Sequence, residues 1–281
     1  MSAHVAVGGR GPKLSTVPAR LWRGVTRNLV GFYAALALLY LFLPVIVVIV
    51  FSFNDNVGRF NFTWQGFTLD SWLNPCGVAG LCQAMIRSIQ IAIVSTIVVT
   101  ALGTMVAFAL VRHRFRGRGL TNLLIFLPMA SPEVVLGSAM LALFLNVGVR
   151  TGFLTILLGH IMFNISYVVV TVKARLLGMD SRLEEAAMDL YADEWQTFRR
   201  VTLPLVTPGI VAAALLAFAL SFDDFIITLF NSGNTTTFPL FVYGAAQRGI
   251  PPQINVMGTA LFAVAFVVLI VGQVTRRFRR S

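Results

Sequence analysis

Residues 173–208 read KARLLGMDSRLEEAAMDLYADEWQTFRRVTLPLVTP. The segment holds six of the chain's 11 acidic residues, Asp180, Glu184, Glu185, Asp189, Asp193 and Glu194, and five basic ones, Lys173, Arg175, Arg182, Arg199 and Arg200. It is too polar to cross a bilayer and too rich in helix formers to be a plain linker. Leu183, Ala187, Leu190 and Phe198 recur at helical spacing, with Ala186, Tyr191 and Trp195 beside them and Glu194 interrupting the row. The pattern predicts a short amphipathic helix with a stripe of small and aromatic residues, closed by Pro204 and Pro208. Such a helix docks in a partner's groove, packs back on its own bundle or rests on the lipid surface. Periodicity does not choose among the three.

On both sides of this segment the chain is apolar. Of its 281 residues 57% are hydrophobic and 12% charged, against about 25% charged in a soluble domain. That excludes an ordinary soluble enzyme and a disordered chain. Six stretches, roughly 30–51, 87–111, 120–145, 153–172, 209–230 and 256–274, reach the length of about 20 residues that a membrane helix needs. Long apolar runs between arginine clusters predict helices rather than the alternating strands of a membrane barrel. The fold class is therefore all-α, a polytopic membrane bundle of about six helices. The first run is too long and starts too late for a cleaved signal peptide, and reads as a retained anchor. The organisation is a basic tail (1–29), one transmembrane domain (30–275) interrupted by the polar loop 173–208, and a short basic tail (276–281).

Charge placement orients the bundle. Arg10, Lys13, Arg20, Arg23 and Arg27 precede the first span, Arg112, Arg114, Arg116 and Arg118 follow the second, five basic residues lie in 173–208, and Arg276, Arg277, Arg279 and Arg280 close the chain. The opposite side carries only Arg59, Arg150 and Arg248, with Arg87 at a span edge. Basic residues mark the cytoplasmic side, so both termini are expected there. The net charge of +11 reads as topology and contact with anionic lipid, with no call for nucleic acid. Cys76 and Cys82 fall in the long first external loop. A disulfide and two unpaired thiols both fit that placement.

Three carboxylates, Glu133, Asp223 and Asp224, fall inside predicted spans. Ionisable groups at that depth are functional candidates by default. Glu133 and Asp223 lie thirteen to fourteen residues into inside-to-outside spans, about 20 Å up at 1.5 Å per residue, so they are expected at one level. Adjacent helical residues point about 100° apart, so one of Asp223 and Asp224 faces a neighbouring helix. Pro128 and Pro132 interrupt the third span just before Glu133, and broken backbone at depth belongs where it lines a cavity or is covered by protein. Phe222 and Phe225 flank the aspartates. Carboxylates with aromatic walls suit an amine cation. Hydrogen-bonded carboxylates within the bundle are the alternative.

The run Glu185-Ala186-Ala187, three residues, Tyr191, nine residues, Val201-Thr202-Leu203-Pro204 resembles the EAA loop of ABC-importer permeases. That pattern is Glu-Ala-Ala, three residues, Gly, nine residues, Ile-x-Leu-Pro, in the cytoplasmic loop between the fourth and fifth spans. Tyr191 stands where the family has Gly, which bears on the turn, because Gly takes a backbone conformation that Tyr resists. The stretch Ser221 to Gly249, including Ser-Phe-Asp-Asp-Phe, Thr-Thr-Thr-Phe-Pro-Leu, Tyr243-Gly244 and Arg248-Gly249, is similar to the permeases of the spermidine/putrescine importers, in particular the second of their two permease subunits.

The resemblance implies a type I ABC importer permease fold and uptake of polyamines across the plasma (inner) membrane of a prokaryote. It implies three kinds of partner: a second permease subunit of different sequence, an ATPase dimer, and an extracytoplasmic binding protein. This chain would bind no cofactor; ATP and Mg would be held by the ATPase. Glu185, Ala186, Ala187, Tyr191, Leu203 and Pro204 would couple to that ATPase. Glu133, Asp223, Asp224, Phe222, Phe225 and Tyr243 would line the substrate pathway. Related importers for other small solutes carry similar Asp-bearing segments.

No catalytic constellation is legible. The chain has no Gly-x-x-x-x-Gly-Lys-Ser/Thr loop, and its two lysines follow Pro12 and Val172. His4, His113 and His160 are scattered, without metal-ligand spacing. His160 alone lies in a span, where a hydrogen-bonded packing role is expected. Gly103, Gly137, Gly159 and Gly209 read as points of close helix approach. An ion-coupled secondary transporter is the competing class; most are longer and built from repeats, and no repeat is visible. A purely structural membrane protein would leave the buried carboxylates without a purpose.

Overall fold

The computed structural model describes residues 17–278. His4, Arg10, Lys13, Arg279 and Arg280 lie outside the described residues. A long helix α1 (Val17–Phe51) leads into an external loop with a one-turn helix α2 (Asp70–Leu73). Then come α3 (Leu81–Arg112), α4 (Arg118–Ala130), α5 (Glu133–Asn146) and α6 (Phe153–Leu177). The polar segment forms α7 (Arg182–Asp189), α8 (Glu194–Thr197) and a π-helical turn (Phe198–Thr202). It runs on into α9 (Leu203–Asp223), α10 (Ile226–Asn231), α11 (Phe238–Arg248) and α12 (Pro252–Phe278).

Five helical stretches are long and apolar enough to cross a membrane by themselves. The predicted third span is instead two helices, α4 and α5, bent by 107°. Ser131 and Pro132 are extended at the break, because the residue before a proline is driven out of helical backbone. Side-chain contacts lay the pair along the length of α6. Lys173, near the inner end of α6, donates to Asn122 Oδ1 on α4 at 2.7 Å, whereas Gly137 and Met140 of α5 meet α10 and Gly159 near the outer end of α6. Counted with this bent pair as one span, the described residues hold six candidate spans.

The core is the mutual packing of α3, α6 and α9 around Val99, Ala107, Leu110, Val168, Val169, Val172, Val206, Ala213 and Ala217. In lipid such helices associate through close packing of small residues rather than through expulsion of water. All four glycines singled out above behave accordingly. A Cβ on Gly103 would stand 2.7 Å from Val168, on Gly137 2.9 Å from Phe230, on Gly159 2.7 Å from Ile227 and on Gly209 2.6 Å from Arg175. Helix α1 packs chiefly on α12, through Phe42 against Phe262, and leaves most of its apolar surface open.

The external loop is held by polar side chains. Asn54, fully buried, donates to Asn61 Oδ1 and Thr63 O and accepts from Gln65 N. Trp72 Nε1 donates to Ser52 Oγ. Cys76 and Cys82 are joined by a disulfide, their Cα atoms 5.4 Å apart, on the side where the charge bias places the outside.

Three expectations are corrected. The stripe in 173–208 does not lie on one helix, because the chain turns after Asp189 and restarts at Glu194. Pro204 and Pro208 do not close the segment: helix runs from Glu194 through to Asp223 as one apolar stretch. Pro204 falls in the first turn of α9, directly after the π turn, where its missing N–H does least harm. The fifth span also stops earlier than expected, at Asp223, with α10 a separate element.

Candidate functional site

The cytoplasmic loop presents Glu185, Ala186 and Tyr191 to solvent and keeps Ala187 half-buried. The carboxylate that the chain itself uses is the neighbouring Glu184, which is buried. Arg112 Nη2 at the inner end of α3 and Thr202 Oγ1 of the π turn both donate to Glu184 Oε1. Burial pushes the Glu184 carboxyl up, but the hydrogen bonds from Arg112 and Thr202, and the Arg112 charge, outweigh it and hold it below the ordinary carboxylate range. One side chain thus ties α7 to α3 and to the start of α9. The sequence held no signal for this, since Glu184 and Glu185 are identical neighbours.

Tyr191 occupies the Gly position of the loop motif with φ +63°. The turn is kept despite the residue. Left-handed backbone costs a non-glycine residue roughly 1–2 kcal/mol, and Tyr191 is 99% exposed, so nothing within the chain offsets it. Leu190, Trp195 and Met188 are exposed around it. Asp193 restarts the helix by accepting the Gln196 N–H at 2.7 Å. Leu203 is half-buried and Pro204 exposed at the root of α9.

The second cluster lies at the break after α9. Asp224 leaves helical backbone (ψ 122°), and its carboxylate turns inward, 6% exposed, against His160, 2% exposed. Nε2 of His160 lies 3.1 Å from Asp224 Oδ2 and 2.9 Å from Thr228 Oγ1, and Nδ1 lies 2.7 Å from Ser221 Oγ. Thr228 donates both its backbone N–H and its hydroxyl to Asp224 Oδ2, each at 2.8 Å. A carboxylate only accepts, so the imidazole proton facing it sits on Nε2. His160 therefore binds three residues that straddle the break. The expectation of a hydrogen-bonded packing histidine matches this geometry; the Asp224 partnership was not foreseen.

Asp223 is exposed and carries no ion pair or side-chain hydrogen bond among the described residues. Glu133 is exposed in the first turn of α5. Each stands four residues before a residue in contact with the other element, Asp223 across the break: a Cβ on Gly137 would lie 3.4 Å from the Ile227 Cα. The aromatic residues form two ring clusters on either side of the break. The Phe222 ring is 6.2 Å from Phe218 and 6.3 Å from Phe238, and the Phe225 ring is 4.8 Å from Tyr243. No group of three or more His, Cys, Asp or Glu side chains able to hold a metal is present among the described residues.

Residues 99–280 match the family model described as binding-protein-dependent transport system inner membrane component. The chain belongs to this family. It is a permease subunit of an ABC importer, a multi-pass inner-membrane protein, and not the ATPase. It is 38% identical over 259 residues to the spermidine/putrescine transport system permease protein PotC of Escherichia coli K12, covering 92% of this chain and 95% of that one. To the putrescine transport system permease protein PotI of the same strain it is 33% identical over 237 residues, covering 82% and 84%. Its fold is similar to a chain of a bacterial ABC transporter that imports the acidic polysaccharide alginate, with a TM-score of 0.62 at 17% identity, over 95% of this chain and all of that one.

Proposed function

We propose that this permease takes up polyamines such as spermidine and putrescine, pairing with a second, different permease subunit. An extracytoplasmic protein delivers the substrate, and a dimeric ATPase that holds ATP and Mg drives the cycle. The observation that carries the substrate class is the exposed Asp223, flanked in sequence by Phe222, which packs on Phe238, and by Phe225 close behind, which packs on Tyr243, with Glu133 exposed at the start of α5. Two carboxylates and aromatic faces complement an elongated chain of ammonium groups through charge and cation–π attraction. The names of the relatives support the same class. Asp224 serves the pathway indirectly, by fixing the break that turns Asp223 outward.

Glu185, Ala186 and Ala187 are the contact of the cytoplasmic loop with the ATPase, and Tyr191 is the tip of that contact. Leu203 and Pro204 root it in α9. Motion of α7 reaches α3 and α9 through Glu184. The ATPase and the binding protein each favour one state of the bundle, and the pathway alternates between them. Uptake of labelled spermidine and putrescine by the reconstituted complex tests the reading. Uptake is expected to be saturable and to fall with Asp223→Asn at unchanged membrane level; uptake indifferent to both ligands overturns the substrate class.

A further inference from the structure

On the outer face a cleft of about 810 Å³ opens between the start of α3 and α11, lined by Gln83, Arg87, Asn234, Thr236, Phe241 and Arg248 among others. It contains two guanidinium groups and no carboxylate. Arg87 lies six residues into α3, roughly 9 Å along the helix from its outer end, and is half-buried. Neither arginine makes an ion pair or a side-chain hydrogen bond among the described residues. Asp55 and Asp70 line an adjoining cleft that Arg59 and Arg248 also border, and neither reaches an arginine within ion-pair distance.

This arrangement is held in place. The Phe238 N–H donates to Ser88 Oγ, next to Arg87, at 2.8 Å, which locks the start of α11 to α3. The Cys76–Cys82 disulfide closes the loop that enters α3. The same α11 carries Tyr243, which packs on Phe225, and its neighbour Gly244 lines the cleft, so the cleft adjoins the proposed cation route. Two unpaired guanidiniums there repel a polycation and leave Arg87 a partly desolvated charge without a counter-ion. Both conflicts disappear when carboxylates occupy the cleft.

We propose that Arg87 and Arg248 form a carboxylate-receiving site that docks acidic side chains of the extracytoplasmic binding protein at the pathway mouth. The inference rests on the importer reading and gives one of its partners a place and a chemistry. The cleft opens to the compartment where that partner works, and its polar lining, Gln83, Asn234 and Thr236, supplies further donors for carboxylates. Close charge pairs of this kind govern both encounter and dissociation.

The test measures docking of the fluorescently labelled binding protein to the whole importer in nanodiscs of neutral lipid and, in parallel, of anionic lipid. It needs no transported substrate, so it stands apart from the polyamine assay. Arg87→Gln with Arg248→Gln is expected to weaken docking about tenfold and to flatten its dependence on salt. Arg150→Gln, on the same face outside the cleft, is expected to leave docking unchanged, and size-exclusion of each variant complex checks assembly. Unchanged docking in the double variant overturns the proposal. So does an equal loss with Arg150→Gln, which would mean a diffuse field, or a loss seen only with anionic lipid, which would assign the cleft to headgroups.

Discussion

The cytoplasmic loop and the intramembrane break each contain two adjacent acids, and the chain treats both pairs alike. Glu184 is buried by Arg112 and Thr202 while Glu185 faces out. Asp224 is buried by His160 and Thr228 while Asp223 faces out. In each region the bonded acid sets the local geometry and its neighbour stays exposed. Adjacent residues point in different directions, so a doubled acid at a structural break gives one strut and one free charge in consecutive positions. The two struts differ in their solvent. Asp224 and His160 are sealed from it, whereas the Arg112 side chain is 39% exposed.

That difference orders the ways to break the comparison. Asp224→Ala leaves His160 and Thr228 buried without their acceptor, a loss of about 3–5 kcal/mol for a broken buried pair; the protein is expected to fall sharply in isolated membranes. Asp223→Asn is expected to leave that level intact and to lower polyamine uptake by roughly ten- to a hundredfold, in line with about 1.4 kcal/mol per decade. Equal protein loss in the two variants would erase the distinction between strut and free charge.

Glu184→Gln comes next, at about 1–2 kcal/mol, because water screens the exposed Arg112 side of the pair. Its sign with pH is definite. The folded carboxyl lies below its ordinary value of 4.5, so its contribution is complete above that pH and fades as pH falls through the folded value. Thermal melts of wild type and Glu184→Gln are therefore expected to differ at neutral pH and to converge in acid. The smallest effect belongs to Tyr191→Gly. Relief of left-handed strain is expected to stabilise the loop by about 1 kcal/mol, read as slower amide exchange over 190–193. Transport-linked ATP hydrolysis is expected to drop with the loss of the exposed ring. A variant with full coupling would remove Tyr191 from the ATPase contact.

Much of this was legible before any coordinates. Apolar runs of membrane length, the arginine bias and the EAA spacing are local patterns, and they gave the candidate spans, an expected orientation and the loop of the family motif. The break before Glu133 was visible in Pro132, whereas Pro128, expected to share in it, lies inside α4. Less legible was the course of 173–208, since neither the left-handed turn at Tyr191 nor the π turn that carries helix through Pro204 has a periodic signature.

Length and hydropathy by themselves set about six apolar runs of membrane length, because a bilayer imposes that constraint on each segment separately, and the resemblance of the loop motif supplied the family. Which acid of each pair is consumed was decided only by the tertiary structure. Arg112 meets Glu184 across 72 residues of sequence and His160 meets Asp224 across 64. A buried charge takes the partner that packing brings to it, and packing between helices is not written in either helix alone.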